Sequence, residues 1–317
     1  MRPQAVLPLC LVVASHFHPE PDFRSFYHSR LAISQKIDIP SIIKLKNERW
    51  WGLLMNSLGG KVAVVSGASK GMGRHFVAAM VNAGMRVACL ARPSSELTSL
   101  AAEHGEAVLV LPCDVTSPDA VNAAVSETVA HFGRLDIVIA NAAIFHPFAF
   151  EAGDDTIIRN HIDVNILGVA WLVRAAIPHL RETKGQIIAI SSESVRMPFP
   201  MLALYAATKA SVETLCNGLR EELRSDDIRV TILRSGSVRG GSGGNSWSDE
   251  TKAAFFKKIV ETGHASMSGD AAMPESMAKA LLATIGLPPD ISVDLIEVRA
   301  ARVGVPEGAQ ATMSEAG

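Results

Sequence analysis

The chain has 317 residues, 48% hydrophobic and 20% charged, with a formal net charge of −2 at pH 7. That balance supports one large folded domain or two small ones and excludes wholesale disorder. It also excludes an electrostatic hold on nucleic acid or anionic lipid, and the 5% aromatic content excludes a base-stacking platform. Cys10, Cys89, Cys113 and Cys216 stand far apart with no C-x-x-C pair. That suits free thiols in a reducing compartment such as the cytoplasm, and neither a disulfide framework nor a metal site is expected. No run of 18 apolar residues occurs, so no membrane-spanning helix is expected.

The N-terminal "MRPQAVLPLCLVVAS" carries one arginine and a short apolar run interrupted by Pro8. A secretory leader is one reading of it, and Trp50 and Trp51 beside Arg49 weakly support an interfacial anchor. The favoured reading starts the domain at Met55, where a polar lead passes directly into a strand and a glycine turn. Residues 1–54 are then an extension outside the fold.

From Lys61 the pattern alternates. Apolar runs at 61–65, 86–91, 107–114, 135–143, 185–192 and 228–236 read as buried parallel strands. Between them, 72–84, 94–105, 117–133, 154–182 and 203–224 have helical spacing. Gly84 suits a helix C-terminus, and Ser117 with Pro118 suits an N-terminus. Residues 235–250 are rich in glycine and serine, and the stretch at about 236–270 is placed as a lid. A helix over 274–286 and a last strand over 291–299 follow, and 304–317 form a tail. This order predicts one α/β domain over 55–303, a Rossmann-type doubly wound parallel sheet of about seven strands with helices on both faces. Ligands of such sheets sit at the carboxyl ends of the strands, where strand order reverses.

The first strand opens into Ser66-Gly67-Ala68-Ser69-Lys70-Gly71-Met72-Gly73. Glycine here lets backbone amides approach a pyrophosphate at the start of a helix. The second strand ends Cys89-Leu90-Ala91-Arg92, with no acid for a ribose 2′-hydroxyl. Lys70 and Arg92 instead offer two cations to a 2′-phosphate, which favours NADP(H). Asp114 after the third strand suits the adenine amino group or a helix N-cap. At "YAATK", Tyr205 and Lys209 stand at i and i+4, one turn apart on one helix face.

With these residues in place, about Leu58 to Arg299 resembles the short-chain dehydrogenase/reductase family. "SGASKGMG" is similar to its cofactor turn, with Ser66 where threonine is usual. "ANAA" (140–143) is similar to its N-N-A-G motif, and "SSES" (191–194) before "YAATK" to its serine and Y-x-x-x-K. Ser192 precedes Tyr205 by thirteen residues, the family's interval, and Asn165 in "DVNILG" matches the active-site asparagine. The resemblance implies a catalytic set of Asn165, Ser192, Tyr205 and Lys209. It implies dinucleotide contacts from Gly67, Ser69, Lys70, Gly71, Met72, Gly73, Arg92, Asp114, Val115, Asn141, Ala142, Tyr205, Lys209, Gly236 and Val238.

Three departures stand out. Ala140 and Ala143 replace the first asparagine and the glycine of N-N-A-G, and Ser235-Gly236-Ser237-Val238 lacks the family's proline and threonine after the sixth strand.

The chemistry this implies is interconversion of a ketone and a secondary alcohol, with Tyr205 as acid or base. The Lys209 ammonium is expected to lower the tyrosine pKa from about 10. Ser192 holds the substrate oxygen, and Asn165 links Lys209 to solvent through a water. Phe145, His146, Met197, Phe199, Met201 and Trp247 are expected around a mainly apolar substrate, and Glu193 is expected to bond backbone or to meet a polar or cationic substrate group there. A non-catalytic NADP-binding redox sensor or scaffold is the alternative. The family commonly pairs its long helices, so a homodimer or homotetramer is expected, with neither nucleic acid nor membrane as partner.

Overall fold

The computed structural model describes Gly52 and residues 57–240, 247–264 and 271–301. The chain divides into two compact units, Met1–Glu48 and Arg49–Gly317, and every described residue belongs to the second. The expected start at Met55, the rest of the 1–54 extension and the 304–317 tail lie outside the described residues.

Seven strands form one parallel sheet: β1 (Val62–Ser66), β2 (Arg86–Ala91), β3 (Val108–Pro112), β4 (Ile137–Ala140), β5 (Gln186–Ser192), β6 (Arg229–Ser235) and β7 (Leu295–Val298). Their order is β3-β2-β1-β4-β5-β6-β7, so the direction of winding reverses between β1 and β4. Every residue of β1 and β4 is buried, which is why these strands read as unbroken apolar runs. Alternate side chains enter opposite layers. Val62 and Val64 join one core, Ala63 and Val65 the other. Each fully buried valine or isoleucine contributes about 1.5–3 kcal/mol.

Among the described residues, the sheet is accompanied by helices α1 (Gly71–Asn82), α2 (Ser95–His104), α3 (Pro118–Phe132), α4 (Asp155–Ile162), α5 (Gly168–Thr183), α6 (Ala203–Glu222), α7 (Asp249–Glu261) and α8 (Pro274–Ile285). Phe76 of α1, Leu97 of α2 and Met277 of α8 enter one core layer; Val121 of α3, Leu172 of α5 and Val212 of α6 enter the other.

The helix expected over 154–182 is divided. A π-helical turn, Asp163–Leu167, separates α4 from α5. There the chain passes Val115 closely, and a Cβ on Gly168 would stand 2.9 Å from Val115 Cγ2. The sequence reading also missed α7. Ser248 caps it by accepting a bond from the Thr251 N–H at 3.1 Å, and Asp249 and Glu250 favour its positive end.

Candidate active site

Ser66, at the end of β1, joins the two strands that flank the reversal. Its hydroxyl oxygen accepts the N–H groups of Asn141 and Ala142, each at 3.0 Å. Asn141 in turn donates from Nδ2 to the carbonyls of Ser66 at 3.0 Å and Gly67 at 3.2 Å. The turn that follows admits no side chains at two positions. Gly67 has φ +65°, and a Cβ on Gly73 would lie 2.1 Å from the Gly67 carbonyl oxygen. α1 begins just beyond, with no side-chain cap and no acid in its first turn. Its first amides therefore suit an anion, and this cradle fits a dinucleotide pyrophosphate.

Lys70 and Arg92 are both exposed and border the cavity into which this turn opens. Arg74 does not join them. It donates to the Ser69 carbonyl at 3.1 Å, the Glu96 carbonyl at 2.7 Å and Ser99 Oγ at 2.9 Å, and pairs with Glu103. It thereby ties α1 to α2 and sets the spacing of the two loops. Asp114 is not the cap of α3; Ser117 is, accepting from Ala120 N–H at 3.2 Å. Asp114 Oδ1 accepts from the N–H and the hydroxyl of Thr116, at 3.0 and 2.8 Å, so part of its carboxylate shapes the loop.

The cavity has a volume of about 1000 Å³ and runs along the carboxyl ends of the strands. Ser192, at the end of β5, and Tyr205 and Lys209, one turn apart on α6, meet at its wall. The Ser192 hydroxyl stands beside Tyr205 and accepts the Ser194 N–H at 3.2 Å. Lys209 is 3% exposed; its Nζ donates to the Ile190 carbonyl at 2.8 Å and lies 5.9 Å from the centre of the Tyr205 ring.

The electrostatics differ from the sequence expectation. Burial pushes Tyr205 up to about 12, against the opposing bond from Ser192 and with help from the Glu193 charge. Burial also brings Lys209 down to about 8. In this site desolvation sets the direction of the shift, opposite to the lowering expected from Lys209. Tyr205 is therefore held as a phenol through the physiological range, which is the form that donates a proton.

Asn165 is fully buried in the π turn and does not border the cavity. Its Oδ1 accepts the Ile144 N–H at 2.8 Å, and its Nδ2 donates to the Ile144 carbonyl at 2.9 Å and to Thr208 Oγ1 at 3.1 Å. Thr208 donates onward to the Tyr205 carbonyl at 2.7 Å. Asn165 thus fastens the loop after β4 to the helix carrying Tyr205 and Lys209. Thr208 was not singled out from the sequence, because an interior threonine of a helix carries no signal of its own.

Of the dinucleotide-binding set, all but Gly73 border the cavity, and Gly73 sits behind the turn against Gly67. After β6, Ala272 donates to the Ser237 carbonyl at 2.8 Å and accepts the Arg239 N–H at 2.9 Å. That bridge directs Val238's own N–H and C=O to the opposite edge, and Val238 lines the cavity.

On the substrate side, Phe145, Phe199 and Trp247 border the cavity. The Phe145 ring meets Tyr205 edge-on at 4.9 Å and Trp247 at 5.0 Å, and Trp247 Nε1 donates to the Phe145 carbonyl at 2.8 Å. Phe255, Phe256 and Ile259 of α7 complete this apolar wall, a face that sequence reading lost with the helix. Three residues depart from expectation. His146 follows the inward-facing Phe145 in an extended loop and does not line the cavity. Met197 also lies outside the lining, with its sulfur 3.9 Å from Arg299 Nη1. Met201 is outside it too, packed against the cluster of Leu202, Trp247, Phe255 and Ile259. Glu193 borders the cavity, with its carboxylate beside the Ser237 N–H and 3.8 Å from Arg299.

Residues 61–251 match the family model described as short chain dehydrogenase, from the start of β1 into α7. The chain belongs to the short-chain dehydrogenase family. It is 31% identical over 249 residues to an uncharacterised oxidoreductase of Staphylococcus saprophyticus, covering 77% of this chain and 98% of that one. It is 37% identical over 185 residues to 11-beta-hydroxysteroid dehydrogenase-like 3 of Arabidopsis thaliana, 56% of this chain and 59% of that protein's length. Among solved structures, this short-chain dehydrogenase resembles the 3-ketoacyl-(acyl-carrier-protein) reductase of Brucella melitensis complexed with NADH. The identity is 27% and the TM-score 0.67, over 78% of this chain and all of that one, 100%.

Proposed function

We propose that the protein is an NADP(H)-dependent oxidoreductase that interconverts a ketone and a secondary alcohol on a mainly hydrophobic substrate. The observation that carries this reading is the placement of Tyr205, beside Ser192 and over a buried Lys209, in the same cavity as the glycine cradle. The chemistry that a bound nicotinamide dinucleotide supplies is hydride exchange at the reacting carbon. Ser192 orients the substrate oxygen, and Tyr205 delivers its proton to that oxygen in reduction or removes it in oxidation. Lys209 positions the ribose and keeps a positive charge one turn below the phenol. Phe145, Phe199, Trp247 and the α7 side chains exclude water and receive an apolar skeleton. The hydroxysteroid dehydrogenase-like relative is in keeping with such a substrate.

Preference for NADP(H) rests on Lys70 and Arg92 at the cavity edge and on the lack of an acid after β2. The described cysteines, Cys89, Cys113 and Cys216, are buried and free, which suits a reducing cytoplasm. Assembly as a homodimer or homotetramer through α4, α5 and α6 follows from the family resemblance.

The test compares kcat/KM for NADPH and NADH over ketones of increasing apolar bulk. Wild type should favour NADPH by about tenfold or more, and Arg92→Ala should remove most of that preference. Equal use of both dinucleotides by wild type overturns the cofactor assignment.

A further inference from the structure

The loop after β6 lacks the proline that stiffens it in the family pattern, yet it borders the cavity at Ser235, Gly236, Ser237 and Val238. Two of its fastenings are backbone. Gly236 donates to the Val298 carbonyl at 2.9 Å, and Ser237 and Arg239 bond to Ala272. The third comes from a side chain. Glu193 immediately follows Ser192 and opens the short 3-10 turn Glu193–Val195. It is only 7% exposed, and a carboxylate buried to that degree needs partners. Its carboxylate faces Arg299, just beyond β7, at 3.8 Å, and lies against the loop beside the Ser237 N–H.

Gly236 is enclosed by the same two side chains. A Cβ there would stand 2.8 Å from Arg299 Cγ and 3.2 Å from Glu193 Oε2. The contact extends into a chain of charges. Arg299 faces Glu297 at 3.4 Å, and Glu297 pairs with Arg196 at 2.9 Å and Arg234 at 3.2 Å. Arg234 grips Glu213 at 2.6 and 2.9 Å, and Glu213 accepts the Ser191 hydroxyl at 2.6 Å. The chain therefore begins at Glu193 and ends at Ser191, the residues on either side of Ser192.

We propose that Glu193 is a positioning residue: with Arg299 it latches the loop Ser235–Val238 to the strand end that carries Ser192, in place of the missing proline. One side chain then fixes the serine and the backbone facing the dinucleotide. The proposal rests on the dinucleotide reading above for its functional consequence. The latch itself is a property of the free protein.

The experiment combines amide hydrogen exchange of the free protein with dinucleotide titration, on wild type, Glu193→Ala and Glu193→Gln. Glu193→Ala should lose protection at Ser237 and its neighbours while β1 and α1 keep theirs. It should raise the NADPH Kd about tenfold, equivalent to about 1.4 kcal/mol. Glu193→Gln retains an acceptor for the Ser237 N–H and should recover most of both losses. KM for the dinucleotide should rise more than kcat falls. Arg299→Ala should move the same amides to a smaller degree. Unchanged exchange at Ser237 in Glu193→Ala, or equal losses in the alanine and glutamine variants, overturns the latch. A wild type that binds neither dinucleotide sinks the functional reading instead, and the exchange result then decides the latch by itself.

Discussion

Lys209 is 3% exposed, and the carbonyl of Ile190 is the partner that holds its ammonium. Burial lowers its pKa from 10.5 to about 8, so the folded protein binds this proton less well than the unfolded chain. Stability therefore rises with pH between about 8 and 10.5, and the full penalty is present below 8. Such a shift corresponds to about 3 kcal/mol. Replacing Lys209 with methionine should then stabilise the protein by about 1–3 kcal/mol at pH 7, after loss of the bond to Ile190, while abolishing turnover. Denaturant titrations at pH 7 and pH 10 read the difference. The gain should shrink at the higher pH; a variant less stable than wild type at pH 7 contradicts the placement of this charge. The pair at 205 and 209 was legible in the sequence because i and i+4 share a helix face. The direction of the tyrosine shift was not, because it depends on desolvation that only the packed site reveals.

At the scale of elements, the π turn Asp163–Leu167 has the clearest consequence. It turns Asn165 inward, where one side chain satisfies both backbone groups of Ile144 and reaches Thr208. Those bonds fix the loop bearing Phe145, whose ring rests on Tyr205. Asn165→Ala leaves the half-buried Ile144 N–H and C=O without this partner and should cost about 1–3 kcal/mol, with a fall in kcat. Chemical denaturation and steady-state kinetics check it; an unchanged denaturation midpoint would refute the bracing role. Apolar periodicity marked the helix and the motif marked Asn165, but one extra residue in a turn leaves no trace in that pattern. α7 was missed for another reason. The glycines and serines before it masked the Ser248 cap, and its inward residues Phe255 and Ile259 pack on the lid side of the cavity rather than on the sheet.

For the whole molecule, a parallel sheet with helices on both faces follows from alternation of apolar runs and helical spans, because parallel strands need crossover helices and these have a fixed hand; the order of the strands does not. The glycine turn, the strand ends and the Ser-Tyr-Lys set then converge at one reversal point. The substrate wall was less legible. Which face of a loop turns inward separates Phe145 from His146 and leaves Met197 and Met201 outside the lining. The central claim is that this one cavity reduces ketones with Tyr205 as the proton donor. Tyr205→Phe removes a single oxygen and keeps the ring against Phe145, so it tests that claim most directly. NADPH binding and ketone-dependent NADPH oxidation should be measured on the same preparations. The account predicts an affinity within about threefold of wild type and turnover reduced by about 10²–10⁴. Turnover within a few-fold of wild type would contradict it.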